Sequence, residues 1–206
     1  VLFLDRTLKT PEENLALDAD LLRAAESELA EYLRVWESPE YCVVLGKHGQ
    51  VSDDVDLEAC RADGIPILRR VSGGGTVLLG PGCLNYTIVL RYDRAPGLHG
   101  VAESFGYCLG RVIEAIGAMG VPVEAQGTDL LCRARKFGGS AQRRQRTHFL
   151  HHGTILYRFE IPLITRYLKE PPRRPAHRAG RRHEEFLACL PCDRSALVEH
   201  LKNAWL

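Results

Sequence analysis

Three short stretches of this chain combine flexible backbone with cationic or imidazole side chains. The first is Arg69-Arg70-Val71-Ser72-Gly73-Gly74-Gly75-Thr76-Val77. Glycines let a backbone come close to a ligand and turn its N–H groups toward an anion. The two arginines add forked donors suited to phosphate or carboxylate. No Gly-Lys-Ser/Thr follows, which excludes a Walker loop. Extended residues follow instead of a helix, which excludes a dinucleotide fingerprint. The second stretch is Lys136-Phe137-Gly138-Gly139-Ser140-Ala141-Gln142, surrounded by Arg133, Arg135, Arg143, Arg144 and Arg146. A lysine beside two glycines can lay its ammonium against a bound anion while small neighbours keep the pocket open. A basic hairpin, solvated or resting on nucleic acid, would have the same composition. The third is His151-His152-Gly153-Thr154-Ile155-Leu156. Neighbouring residues of a strand face opposite ways, so only one imidazole can enter a given pocket, as a wall residue more than as a metal ligand.

The elements that must carry these stretches follow from hydrophobic spacing and turn chemistry. Thr10, Pro11 and Glu13 form a helix start with a capping box, and Leu15, Ala19, Leu22, Ala25 and Leu29 mark an apolar face over 11–31. Tyr32–Trp36 and Tyr41–Leu45 read as a strand pair joined at Ser38-Pro39, and 55–63 as a short helix ending at Gly64. Ile65–Arg70, Thr76–Leu79 and the β-branched, aromatic Leu84–Arg91 read as strands around the Gly80-Pro81-Gly82 turn. Phe105, Leu109, Val112, Ile116 and Met119 give a helix over 101–119 closed by Gly120. Val121–Glu124, Thr128–Arg133 and Phe149–Tyr157 are further strands. Pro171–Arg182 is a Pro/Arg-rich loop, and 183–206 holds two short helices. Strands following strands predict an α+β fold with a mixed or antiparallel sheet flanked by helices.

Composition fits a globular chain: 206 residues, 45% hydrophobic, 26% charged and 7% aromatic, net charge +1. It excludes a disordered tail, a coiled coil and a collagen. The charge is uneven. Residues 1–64 hold 15 acids against 6 Lys and Arg, leaving 11 acids and 21 bases for 65–206. That asymmetry points to an anionic ligand or partner for the second part. The seven cysteines include one Cys189-x-x-Cys192 with no second ligand pair, so reduced thiols are expected and no metal site. With no basic-then-apolar leader and no apolar run of about 20 residues, a soluble cytoplasmic chain is expected, with no membrane partner.

Taken in order, the three stretches resemble the lipoate–protein ligase family of the biotin and lipoate ligase superfamily. Arg69-Arg70-x-Ser72-Gly73-Gly74-Gly75-x-Val77 looks like its glycine signature, Lys136-x-x-Gly139-x-Ala141 like its lysine motif, and His152-x-x-x-Leu156 like its histidine motif. Asn14-Leu15-Ala16-Leu17-Asp18 resembles the family's first helix, and the likeness covers roughly 5–160. The resemblance implies a fold related to the class II aminoacyl-tRNA synthetase core, with residues 1–206 as a single catalytic domain bearing the 171–182 loop and a short helical C-terminal extension. It implies condensation of lipoate or octanoate with ATP and Mg2+ to an acyl-AMP, then transfer of the acyl group to a lysine. The acceptor would be a lipoyl domain of a 2-oxoacid dehydrogenase, a glycine-cleavage H-type protein or another lipoate-binding protein, and an accessory subunit is a possible further partner. Lys136 would be the catalytic cation. Arg69, Arg70, Ser72, Gly73, Gly74, Gly75, Thr76, Val77, Leu78, Asn85, Asp129, Gly139, Ala141 and His152 would bind substrate or nucleotide, with Asp129 orienting Lys136 or touching Mg2+. Here Leu79-Gly80 stands where family members carry His-Asp.

Two other readings stay open. An octanoyl or lipoyl transferase needs no ATP but uses a nucleophilic cysteine. One such class carries it near the position held here by Val121, which leaves Cys83 and Cys132 as candidates that also suit buried structural roles. A basic RNA-binding module would rest on Arg143-Arg144-Gln145-Arg146 and Arg173-Arg174, and nucleic acid is not the expected partner. The same arginines could steer an acidic acceptor domain.

Overall fold

The computed structural model describes residues 1–171 and 174–206. Pro172 and Arg173, the latter part of the expected steering cluster, lie outside the described residues. A seven-stranded mixed sheet runs in the order β1-β2-β6-β10-β9-β8-β7, and a three-stranded sheet in the order β4-β3-β5. The strands are β1 Leu2–Asp5, β2 Tyr32–Glu37, β3 Cys42–Leu45, β4 Ile67–Arg69, β5 Val77–Leu79, β6 Cys83–Arg91, β7 Glu124–Gln126, β8 Asp129–Cys132, β9 Arg135–Arg144 and β10 His148–Leu156. The helices are α1 Pro11–Glu28, α2 Val51–Asp54, α3 Leu57–Ala62, α4 Val101–Gly117, α5 Ile161–Tyr167, α6 His183–Phe186 and α7 Arg194–Trp205. The α+β expectation is borne out. No helix is long and apolar enough to cross a membrane among the described residues.

Several expectations need correction. Tyr32–Trp36 and Tyr41–Leu45 do not pair: β2 lies between β1 and β6, whereas β3 is the centre of the small sheet. Pro39 lacks the N–H that would continue a ladder, and the Ser38 hydroxyl donates to the Glu40 carbonyl at 2.6 Å, turning the chain out of the large sheet. The strand expected at Val121–Glu124 starts later, at Glu124. The four-residue β1, the ten-residue β9 and α5 were not expected as elements. Among the described residues of 171–182 a 3-10 turn forms at Ala176–Arg178.

The first helix starts as expected, with the Thr10 hydroxyl accepting from the Glu13 amide in a complete capping box. It ends at Glu28, with Leu29 in the left-handed region at φ 53°, and its buried face differs from the apolar stripe. Asn14 and Asp18 are buried, whereas Leu29 is exposed. The cause is Arg34 on β2, whose side chain has no solvent exposure. Its NH1 donates to Asp18 Oδ1 at 2.6 Å and to the Asn14 carbonyl at 2.8 Å; its Nε and NH2 donate to the Arg6 carbonyl, and NH2 also to Asn14 Oδ1. All five guanidinium hydrogens are thereby used. Asp18 Oδ2 also accepts from Thr87 Oγ1 on β6 at 2.8 Å and from Trp36 Nε1 at 3.3 Å. This node fixes α1 against β2 and β6. On the sheet's other face, α4 and α7 cover Leu84, Tyr86, Ile88, Leu90, Phe137 and Phe149.

Removing one partner of a buried pair strands the other charge without water, at a cost of about 3–5 kcal/mol. Arg34→Met should therefore lower unfolding free energy in urea by about that much, with Asp18 left unpaired. A loss under about 1 kcal/mol would show that the pair does not organise the first helix.

Candidate active site

Strand alternation sorts the large sheet into two faces. On one face Asn85, Thr154, Gly139 and Asp129 lie in register across β6, β10, β9 and β8. Beside that row lie Thr87, His152 and Ala141. These polar or small residues form a floor beneath the glycine segment 73–75. His151 points the other way and is wholly buried, stacked on Tyr86 and edge-on to Phe105; burial pushes its imidazole down to about 3, so it stays neutral. The one-imidazole expectation holds.

Lys136 reaches the floor because β9 is irregular. Leu130 pairs with Gly138 and Leu131 with Lys136, so Phe137 is an extra residue on β9. Regular alternation counted back from Gly139 would send Lys136 to the opposite face. The bulge sends Phe137 into the core with Leu130 and Ile155, and turns Lys136 toward the site. Its ammonium then meets Asp129 Oδ1 at 2.7 Å. Gly139 leaves the space for this reach: a Cβ there would lie 3.1 Å from Lys136 Nζ and 3.2 Å from Cε. Asp129 Oδ2 faces His177 Nε2 at 3.0 Å.

The glycine segment rests on the other two motifs. Ser72 is buried and its Oγ lies 2.6 Å from His152 Nε2. Arg70 Nε donates to the same oxygen at 3.0 Å, while its NH2 donates to the Gly73 and Gly75 carbonyls and NH1 to the Val44 carbonyl. Since Oγ accepts from Arg70, the network is satisfied when its hydroxyl donates to His152 Nε2, with the imidazole proton on Nδ1 facing Asp18 at 3.9 Å. Arg70 has no carboxylate partner among the described residues, and burial pulls its guanidinium down to about 10, still charged at neutral pH. Its uncompensated charge lies beside the glycines. Gly74 has φ +87°, and a Cβ there would lie 2.9 Å from Arg70 NH2 and 3.6 Å from Ala141 Cβ.

Two chambers meet at Lys136. The first, about 220 Å3, is lined by Leu15, Trp36, Val44, Leu79, Asp18, Arg70, Asn85, Thr87, Ala141 and His152. The second, about 570 Å3, is lined by Leu78, Gly127, Ile164, Leu168, Lys169, His177, Arg178, His183, Phe186 and Leu187. Gly75, Thr76, Val77, Thr128, Asp129, Lys136 and Thr154 line both. Among the expected residues, Gly74, Gly139 and Asn85 also line the first chamber. Ser72 and Gly73 support the loop without lining either. Arg69 turns away and clamps the 46–49 loop through the Gly46, Lys47 and Gly49 carbonyls. Sequence reasoning missed Trp36, Thr87, Thr154 and His177 as site residues; the first three carried a signal, as polar or aromatic positions at alternating steps.

The remaining candidates fall elsewhere. Arg144 is drawn into the fold, donating to Ser104 Oγ and to the Leu98 and His99 carbonyls, with its guanidinium 4.8 Å over Tyr92. It is thus unavailable to a nucleic-acid face. Cys83 is wholly buried and desolvation drives its thiol far up; Cys42 is pushed up to about 12. No cysteine lines either chamber among the described residues. Mg2+ does not fit as a protein-held ion: both Asp129 oxygens face nitrogen groups, and no cluster of three His, Cys, Asp or Glu is present among the described residues.

Residues 10–187 match the model of the lipoyl protein ligase A/B catalytic domain. Octanoyltransferase LipM of Symbiobacterium thermophilum is 29% identical over 201 residues, which cover 85% of this chain and 72% of that one. Lipoate-protein ligase LplJ of Bacillus subtilis is 27% identical over 171 residues, covering 82% of this chain and 50% of that one, so the chain spans about half that relative's length. Among solved structures, a bi-partite lipoate protein ligase from Thermoplasma acidophilum superposes with a TM-score of 0.85 at 19% identity, covering 99% of this chain and 81% of that one. A lipoate-protein ligase A bound with ATP superposes at 0.84 and 20% identity, covering 99% and 83%. Biotin protein ligase of Leishmania major shares 12% identity at a TM-score of 0.50. At such identities these structures speak for the fold alone. The family match runs from the N-cap of the first helix to the residue bridged to Lys136, and the chain belongs to the lipoyl protein ligase A/B catalytic-domain family.

Proposed function

We propose that this chain activates lipoate or octanoate with ATP and passes the acyl group to a lysine of a lipoyl domain. The observation that carries this reading is the meeting of two chambers at the Lys136 ammonium with no thiol at the junction. A ligase needs two sites that share one reacting edge; a transferase of the thioester kind needs a cysteine there. The first chamber, walled by Leu15, Trp36, Val44, Val77 and Leu79, suits an acyl chain. Leu79 removes a polar group from that wall relative to members with His-Asp. The second chamber, with apolar Ile164, Leu168 and Phe186 beside Lys169 and Arg178, suits a nucleotide and its phosphates.

In the first step a carboxylate oxygen bonds to the α-phosphorus and the bond to the β-phosphate oxygen breaks, releasing pyrophosphate. Two anions must approach, so the barrier is chiefly electrostatic. Lys136 supplies a fixed positive charge at the junction, and Arg70 supplies a second beside the glycines. In the second step a neutral amine attacks the acyl carbon, the bond from that carbon to the phosphate oxygen breaks, AMP leaves, and the nitrogen's surplus proton passes to solvent. Asp129, already facing two nitrogen groups, holds Lys136 in place. Magnesium would arrive with the phosphates and is given no protein cage. The acceptor would be a lipoyl domain of a 2-oxoacid dehydrogenase or an H-type protein.

Lys136→Ala should cut acyl-adenylate formation by about two to three orders of magnitude with the melting temperature unchanged, because a preorganised donor is lost. Near-normal adenylation by the folded variant would remove Lys136 from the mechanism. Gly139→Ala should act through the same atom. Its methyl crowds Nζ and should lower turnover at least tenfold with little effect on lipoate affinity, since a misplaced group costs up to about 100-fold. Equal turnover would mean that Lys136 does not need its present position. A Cys132→Ala chain should modify its acceptor within about threefold of the original, as expected where no covalent thioester forms. An acyl group found on a cysteine by mass spectrometry, labile to hydroxylamine, would instead establish the transferase.

A further inference from the structure

The Asp129 carboxylate is shared between two elements. Its Oδ1 meets Lys136, and its Oδ2 lies 3.0 Å from His177 Nε2 in the turn Ala176–Arg178. Asp129 is buried and the His177 side chain is 17% exposed, and both line the second chamber. The turn is itself held. The buried Arg178 donates to Glu170 at 2.6 Å and to the Arg181 carbonyl at 2.7 Å. Arg181 donates to the His177 carbonyl and to the carbonyl of Ala134, the residue before β9. Downstream, the Ala188 amide donates to the Lys136 carbonyl at 2.9 Å. One segment therefore braces both the backbone of Lys136 and the carboxylate that aims its ammonium.

We propose that His177 is a positioning residue: seated by its turn, it fixes Asp129 by an Nε2–H donated to Oδ2, which leaves Oδ1 to hold Lys136 at the junction of the chambers. An Asp carboxylate can rotate about its side-chain bond, and a lysine has four flexible carbons. With one oxygen pinned from a separate element, the ammonium keeps one place through the reaction. His177 acts through Lys136 and forms or breaks no bond. This inference rests on the ligase reading for its substrates, but the geometry it describes serves any acyl transfer at Lys136.

The test is a double-mutant cycle on the full chain, with lipoate and ATP as substrates and pyrophosphate release as the signal. His177→Ala should lower kcat by about 10- to 100-fold, the range for a misplaced catalytic group. KM for ATP should move less than threefold. His177→Gln, which returns an N–H donor of similar reach, should restore most of the loss. In a Lys136→Ala background, His177→Ala should cost nothing further, because its effect passes through the missing ammonium. A raised KM with unchanged kcat would make His177 only a wall of the second chamber and overturn the proposal. So would a loss that adds to that of Lys136→Ala, or failure of His177→Gln to recover while its melting temperature is intact. If the unaltered chain releases no pyrophosphate but moves octanoyl groups between carrier domains, the ligase reading fails. The same cycle read on that transfer then still upholds or overturns the role of His177.

Discussion

A guanidinium shut away from water must be met by fixed acceptors, and in this protein Arg34 sets that demand. Its donors are answered by Asp18, Asn14 and the Arg6 backbone, which draws the polar side of α1 inward and leaves Leu29 outside. From Asp18 the network continues to Thr87 and Trp36, and faces His152 at 3.9 Å. His152 joins Ser72, Ser72 joins Arg70, and Arg70 holds the carbonyls of the glycine segment. Apart from the 3.9 Å step between Asp18 and His152, hydrogen bonds thus run from the first helix to the loop that walls both chambers. A glycine loop alone would be floppy; here its shape is set by a buried network whose members cannot be exchanged singly.

The second half of the site depends on a single inserted residue. The bulge at Phe137 gives the core an aromatic ring and gives the site a lysine in the same few residues of β9. Gly139 then matters for the volume it does not occupy, and Ala141 for letting Gly74 lie close. Lys136 lies at the junction, Arg70 lines the first chamber, and Lys169 and Arg178 line the second. That gives the basic second part of the sequence a local meaning under the proposed reading, in which an anionic ligand is bound where the chambers meet.

Much of this was legible in the sequence. The capping box at Thr10, the helix expected over 101–119 and found over 101–117, and the strand before the glycine-rich turn followed from spacing and turn chemistry. The motif residues were recognisable because their order matched a family. What escaped was long-range. Strand partners depend on which sheet accepts a segment, so Tyr32–Trp36 and Tyr41–Leu45 looked like neighbours although Pro39 separates their sheets. Strand β9 was hidden because its glycines and arginines have low strand propensity, and only pairing with β8 and β10 makes it extended. Asp18 was visible as a letter in a motif, but its burial depends on an arginine sixteen positions away. Arg69 looked like a ligand contact by adjacency to Arg70, yet consecutive residues point apart, and it holds a loop instead.

In the proposed reading an acyl carboxylate and a nucleotide meet at Lys136 and react there without a cysteine. Lipoate-dependent exchange of labelled pyrophosphate into ATP tests it most directly, because exchange reports the adenylation step alone and needs no acceptor protein. The expected result is exchange that requires both lipoate and the purified chain and that survives alkylation of accessible thiols. No exchange at saturating lipoate and ATP, together with octanoyl transfer between carrier domains that alkylation abolishes, would contradict it.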